Sequence, residues 1–142
     1  MELIETLKTF ELFKEINKLN LEKLIEITEI NKYQDKSIII QENSIDFDLY
    51  TILDGQAEVS ISNKRINQKV AILNPGDQFG EITFLEGVSR SAQVNAIGEM
   101  SVIKFDGGKL HDLLNTDYRL GFIFMKNLSS SLALKMRNIN SK

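Results

Sequence analysis

The sequence predicts an α+β protein, mainly β, built as an antiparallel, jelly-roll-like β-roll flanked by N-terminal helices and a long C-terminal helix. Three observations carry this reading. Apolar residues recur at helical spacing from Leu3 to about Ile30. The period shortens to two in brief runs between Ser37 and Phe105, with turn residues between them. Helical spacing returns from Gly108 onward. Short strands so spaced suit a sandwich or barrel.

Residues 1–30 form the helical lead-in. Leu3, Leu7 and Phe10, then Leu12, Phe13 and Ile16, then Leu21, Leu24 and Ile25 mark its buried side. Asn17 or Asn20 is suited to cap a second helix, because a short polar side chain accepts from free N–H groups there.

Residues 31–106 form the roll. Strands are expected at Ser37–Gln41, Leu49–Leu53, Ala57–Ile61, Lys69–Leu73, Ala92–Ala96 and Met100–Phe105. Ala57, Val59 and Ile61 alternate with Gln56, Glu58 and Ser60, as in a strand with one wet face. Gly55, Asn63-Lys64 and Asn74-Pro75-Gly76-Asp77 fall between runs. Pro75 then Gly76 suits a type II turn, whose second central residue needs a positive φ.

Residues 107–142 are helical again. A short helix is expected over Lys109–Leu114, then a long one from Tyr118 to about Ile139, with Thr116 as its cap. Leu120, Ile123 and Phe124 face the roll. Met125, Leu128, Leu132, Met136 and Ile139, spaced 3, 4, 4 and 3, form a second apolar stripe. Such spacing suits a helix–helix seam and predicts a weak homodimer through this helix.

Composition removes several function classes. With no cysteine, the chain has no disulfide and no thiolate metal site. One histidine, His111, supplies neither a nucleophile's base nor a cupin-type metal cluster, so it reads as structural and the chain as no enzyme. A net charge of −3 argues against nucleic-acid binding by the domain alone. No apolar run reaches the roughly 18 residues that span a bilayer, and the acidic start is no signal peptide. A cytoplasmic protein of one domain, without membrane contact, is the default expectation. Asp46 and Asp48 read as solvated loop acids, and Ser129 to Ser131 as solvent-facing or in reach of a bound ligand.

The chemistry concentrates between Phe79 and Val94. Gly80-Glu81 opens a short apolar turn, Gly87 bends the chain back, and Arg90-Ser91-Ala92 leads into an alternating run. Arg90 presents a planar fork that can take two phosphate oxygens. Backbone N–H groups from Glu81 through Ile82 to Thr83 add partial positive charge. Glu81 only accepts, which suits a sugar hydroxyl. Set apart from their surroundings, Glu81 and Arg90 read equally well as a surface ion pair.

Phe79-Gly80-Glu81, the turn Ile82 to Gly87 and Arg90-Ser91-Ala92 together resemble the phosphate-binding cassette of the cyclic nucleotide-binding domain family, found in catabolite activator proteins, kinase regulatory subunits and nucleotide-gated channels. The resemblance extends over nearly the whole chain, including Tyr33 to Gly55. Ser89 stands where the family usually has proline, and Lys36 and Asn43 stand where it has turn glycines.

The resemblance implies a cyclic mononucleotide ligand and no further cofactor. Gly80, Glu81, Ile82, Thr83, Arg90, Ser91 and Ala92 would form the site, with Val70 and Phe79 on the ribose and base side. Gln93, where a Thr or Ser accompanies cGMP use, favours cAMP with cGMP the second choice. The implied role is a sensor acting on an effector protein yet to be identified, without an attached DNA-binding segment. The alternative is a roll that has lost its ligand and serves as an interaction domain.

Overall fold

The computed structural model describes residues 2–63 and 66–140. Helix α1 (Glu2–Leu7), a 3-10 turn at Glu11–Phe13 and helix α2 (Lys18–Glu26) form the lead-in. Asn17 caps α2, its side-chain oxygen accepting from the Asn20 amide at 2.9 Å. The lead-in ends at Glu26, short of the expected Ile30. Thr28–Tyr33 instead form strand β1, with Thr28 opposite Phe105 and Tyr33 opposite Met100. The β-branched Thr28 and Ile30 fit a pleat well, and the last strand offers this segment a complete ladder. The roll therefore begins at Thr28 and closes at Phe105, against the expected 31–106.

The remaining strands are β2 (Ile38–Ile40), β3 (Leu49–Asn63), β4 (Ile66–Leu73), β5 (Gln78–Phe79) and β6 (Gln93–Phe105). All pairings are antiparallel, in the order β1-β6-β3-β4, with β2 also on β6 and β5 also on β3. β1 and β5 are additional to the expected strands, and β3 and β6 each join two of them into one. Both long strands run on, because their glycines make bulges rather than ends.

Gly55 has a φ of 84°, and a Cβ there would lie 2.6 Å from the Glu99 carbonyl oxygen. Around it the register slips, from Ile52 opposite Val102 to Gln56 opposite Ile97. Buried positions on β3 consequently change from Tyr50 and Ile52 to Ala57, whereas β6 keeps Val94, Ala96, Met100 and Val102. A one-residue slip exchanges the two faces of a strand, so the bulge keeps one side of the roll core lined by β3 both before and after Gly55.

Two turn positions hold a left-handed backbone without glycine. Lys36 and Asn43 take φ values of 70° and 71°, the left-handed conformation that glycine adopts freely. Gly76 has a φ of 91° and Asp77 N–H donates to the Asn74 carbonyl at 2.9 Å, as expected of the Asn74–Asp77 turn. Of the expected Asn63-Lys64 turn, Lys64 lies outside the described residues.

Three helices complete the chain: α3 (Glu81–Glu86), α4 (Gly107–Thr116) and α5 (Tyr118–Asn140). Asp106 caps α4, accepting from the Lys109 amide at 2.9 Å. Asp117 caps α5, accepting from the Leu120 amide at 3.1 Å. The expected cap, Thr116, is still inside α4, and its hydroxyl donates back to the Asp112 carbonyl at 2.9 Å.

Two cores result. One fills the roll. The other joins Phe13, Leu24, Phe105, Leu110, Phe124 and Leu128 between the helices and the outer face of β3 and β6. Leu128 is fully buried there and Met125 packs against it. The second stripe assigned to α5 is thereby reduced. Its first two members already have a partner, Leu132 is half-buried, Met136 is exposed, and the Ile139 side chain lies outside the described residues.

Candidate functional site

Gly80 ends β5 and starts α3 with a φ of 83°. A Cβ there would approach the Arg90 Nη1 to 2.7 Å and the Asp48 carbonyl to 3.0 Å. Glycine is thus required for the guanidinium to come this close. Glu81, Thr83 and Phe84 are buried, while Ile82 stays exposed. Phe84 stacks on His111 with ring centroids 4.3 Å apart, and His111 Nε2 lies 2.9 Å from the Phe84 carbonyl oxygen. That fastens α3 to α4 and gives His111 the structural place expected of it. Gly87, with a φ of 72°, closes α3 as its N–H donates to the Thr83 carbonyl at 2.8 Å.

Arg90 is the organising group, with a side chain only 2% exposed. It does not meet Glu81. Its Nη2 donates to Asp46 Oδ1 at 2.5 Å and to the Asp48 carbonyl at 2.7 Å, and its Nη1 donates to the Gly80 carbonyl at 2.9 Å. Nε reaches Asp46 Oδ2 at 3.5 Å. The backbone around Arg90 is fixed as well: its N–H donates to the Ser44 carbonyl, and its carbonyl accepts from the Asn43 amide. The 43–48 loop, the start of α3 and Arg90 form one hydrogen-bonded unit. A planar fork satisfies this many acceptors at once only when they are placed in advance around it.

Asp46 and Asp48 are therefore more than solvated loop acids. Asp46 is the counter-charge of Arg90, and Asp48 Oδ1 accepts from the Gly107 amide at 2.8 Å. Burial, and then the Asp46 carboxylate, push the Tyr50 phenol above its ordinary value, so it stays neutral. Sequence gave no hint of the Asp46–Arg90 pairing, which joins residues far apart in the chain.

Glu81 has its own partner on α5. Lys135 Nζ lies 3.2 Å from Glu81 Oε1 and 3.3 Å from the Gln78 carbonyl oxygen. The buried Gln78 amide also donates to the Ser131 hydroxyl on the same helix. Neither Lys135 nor Gln78 is among the site residues expected from the sequence, where the serines of α5 are the ones offered as ligand contacts on that helix. The surface ion pair between Glu81 and Arg90 is replaced by two separate pairs, Arg90 with Asp46 and Glu81 with Lys135.

Ser91 is exposed and Ala92 half-buried where the chain enters β6. Val70 is exposed on β4. Phe79 is buried, its ring stacked on Tyr50 at 4.9 Å, so its side chain belongs to the roll core.

Gly80-Glu81, the short α3 and the buried Arg90 beneath it occur together on an antiparallel roll, and residues 30–117 match the family described as the cyclic nucleotide-binding domain. The chain belongs to that family. It is 32% identical over 108 residues to cyclic GMP-binding protein C of Dictyostelium discoideum, an alignment covering 75% of this chain and 4% of that protein. It is 31% identical over 99 residues to the cAMP-dependent protein kinase regulatory subunit of Schizosaccharomyces pombe, covering 70% of this chain and 23% of that one. The chain thus spans a small part of these relatives. Among solved structures, a cyclic nucleotide-binding domain from Methylobacillus flagellatus superposes with a TM-score of 0.84 at 21% identity, over 94% of this chain and 76% of that one. This last likeness concerns the fold. Among the described residues, no helix is long and apolar enough to cross a membrane.

Proposed function

We propose that this cyclic nucleotide-binding domain is a sensor for cAMP, with cGMP the weaker ligand, and that it relays occupancy to a separate effector protein through α5. The observation that carries the reading is Arg90: a buried guanidinium at the mouth of α3, one short helix away from a buried carboxylate. Arg90 keeps one Nη1 N–H without a partner among the described residues. The amides of Glu81 to Thr83 likewise have no acceptor within α3. A cyclic phosphate can bridge these donors while Glu81 accepts a ribose hydroxyl. Ser91 and Ala92 would line the phosphate side, and Val70 the base side. Gln93, with neither the hydroxyl of Thr nor that of Ser, supports cAMP over cGMP. No catalytic group, metal or additional cofactor is required by this role.

The test is calorimetric titration with cAMP, cGMP and a cyclic dinucleotide. One cAMP per chain, bound more tightly than cGMP, is expected. Absence of heat with all three would overturn the reading. A second reading, a roll retained as an interaction domain, is favoured by one feature: Arg90 and Glu81 are both neutralised by this chain's own groups.

The apolar surface left on α5 for a second copy is small, with Leu132 half-buried and Met136 exposed. It supports a weak dimer, formed in the presence of ligand. Sedimentation equilibrium of wild type and Leu132→Glu, with and without cAMP, checks this. A wild type that stays monomeric in both states would exclude it.

A further inference from the structure

Helix α5 is held in two different ways along its length. Its first half buries Leu120, Phe124 and Leu128 in the helical core. Beyond Leu128, none of its described side chains is fully buried. That half is attached by polar contacts to the strand and helix that carry the candidate site: Gln78 to Ser131, and Lys135 to both the Gln78 carbonyl and Glu81. Ser131 and Lys135 are four residues apart and so share one face of α5. A segment held by few buried apolar contacts opens more readily than the rest.

We infer that Lys135 is the positioning residue for the sugar-binding carboxylate. It holds Glu81 Oε1 so that Oε2 faces the ligand, and it thereby makes ribose recognition depend on a docked α5. The inference rests on the cyclic-nucleotide reading above. The Glu81 side chain is 10% exposed, and its only ion-pair partner among the described residues is Lys135. Oε1 takes the ammonium, and Oε2 has no partner among the described residues. A carboxylate has about four acceptor positions, so a ribose hydroxyl can be accepted at Oε2 with Lys135 still in place.

Hydroxyl and ammonium consequently reinforce each other rather than compete. Without Lys135, the glutamate regains rotamer freedom that the ligand must then remove. Coupling of this kind is reciprocal: what α5 adds to ligand affinity, the ligand returns to α5 docking. No new contact between α5 and the nucleotide is needed.

The experiment compares cAMP with 2′-deoxy-cAMP on wild type, Lys135→Met and Lys135→Arg, together with amide hydrogen exchange along α5. Lys135→Met should weaken cAMP by roughly tenfold, within the usual range of such couplings. It should change the deoxy analogue less than about twofold, because that ligand makes no use of Glu81. Lys135→Arg should restore most of the affinity. In wild type, cAMP should slow exchange over residues 131–138, and in Lys135→Met it should not. Equal losses for the two nucleotides would overturn the inference and leave the cyclic-nucleotide reading intact. Tighter cAMP binding by Lys135→Met would also overturn it, since that result means competition. A wild type that binds neither nucleotide overturns the reading and the inference together.

Discussion

Replacing Arg90 by alanine should lower the stability of the domain itself, ahead of any effect on a ligand. The substitution leaves the Asp46 carboxylate and the carbonyls of Asp48 and Gly80 without their donor. Breaking a fully buried ion pair costs about 3–5 kcal/mol. Here the Asp46 side chain is 41% exposed and can rehydrate, so its share falls toward roughly 1 kcal/mol. The two carbonyls accept from a charged donor, worth about 1.5–3 kcal/mol each in a dry site. Water entering the space left by the side chain recovers part of that. A net loss of about 2–4 kcal/mol follows, which is a fall of roughly 1–2 M in the urea midpoint. Far-UV circular dichroism across a urea series measures it. Arg90→Lys keeps the charge but not the fork and should lose about half as much. A double-mutant cycle with Asp46→Ala should show a coupling of at least about 0.5 kcal/mol. A loss under about 1 kcal/mol in Arg90→Ala, well below the value for an uncompensated buried partner, would refute the argument that Arg90 clamps the 43–48 loop to α3.

Gly55→Ala should destabilise by roughly 2–4 kcal/mol, since it combines a φ of 84° with a contact 2.6 Å from Glu99 O; chemical denaturation checks it, and a neutral result would mean that the bulge can be rebuilt. Lys36→Gly should raise stability by up to about 1 kcal/mol by relieving the left-handed lysine, read by the same assay. Leu128→Ala should cost about 2–5 kcal/mol, whereas Met136→Ala should stay within about 0.5 kcal/mol, which separates the buried part of the α5 stripe from the exposed part. Asp117 has its carboxyl held below the ordinary value, first by the Leu120 amide and then by Lys23. Because the folded value is the lower one, its contribution is present above the ordinary carboxylate range and is lost as pH falls through the folded value. The stability difference between wild type and Asp117→Ala should thus be largest near neutral pH and shrink in acid; a difference independent of pH would remove Asp117 as the charged cap of α5.

The sequence by itself determined the class of the fold and the family of the domain, because these are written in local signals. Alternation marked the strands, Pro75-Gly76 required its turn, and Gly80, Glu81, Gly87 and Arg90 recur at a spacing that one short helix imposes. Even the substituted turn positions, Lys36 and Asn43, keep the backbone that glycine would have had, since the surrounding ladder fixes the turn more strongly than one residue's preference opposes it. The tertiary structure alone decided which charges face each other. Arg90 meets Asp46 and Glu81 meets Lys135 across separations of 44 and 54 residues, and no periodicity within either segment encodes those meetings. It also decided that Gly55 bends a strand instead of ending it, and that Leu128 is core rather than seam. In each case the outcome depends on which surface the folded chain presents opposite the residue, and that surface comes from a distant part of the chain.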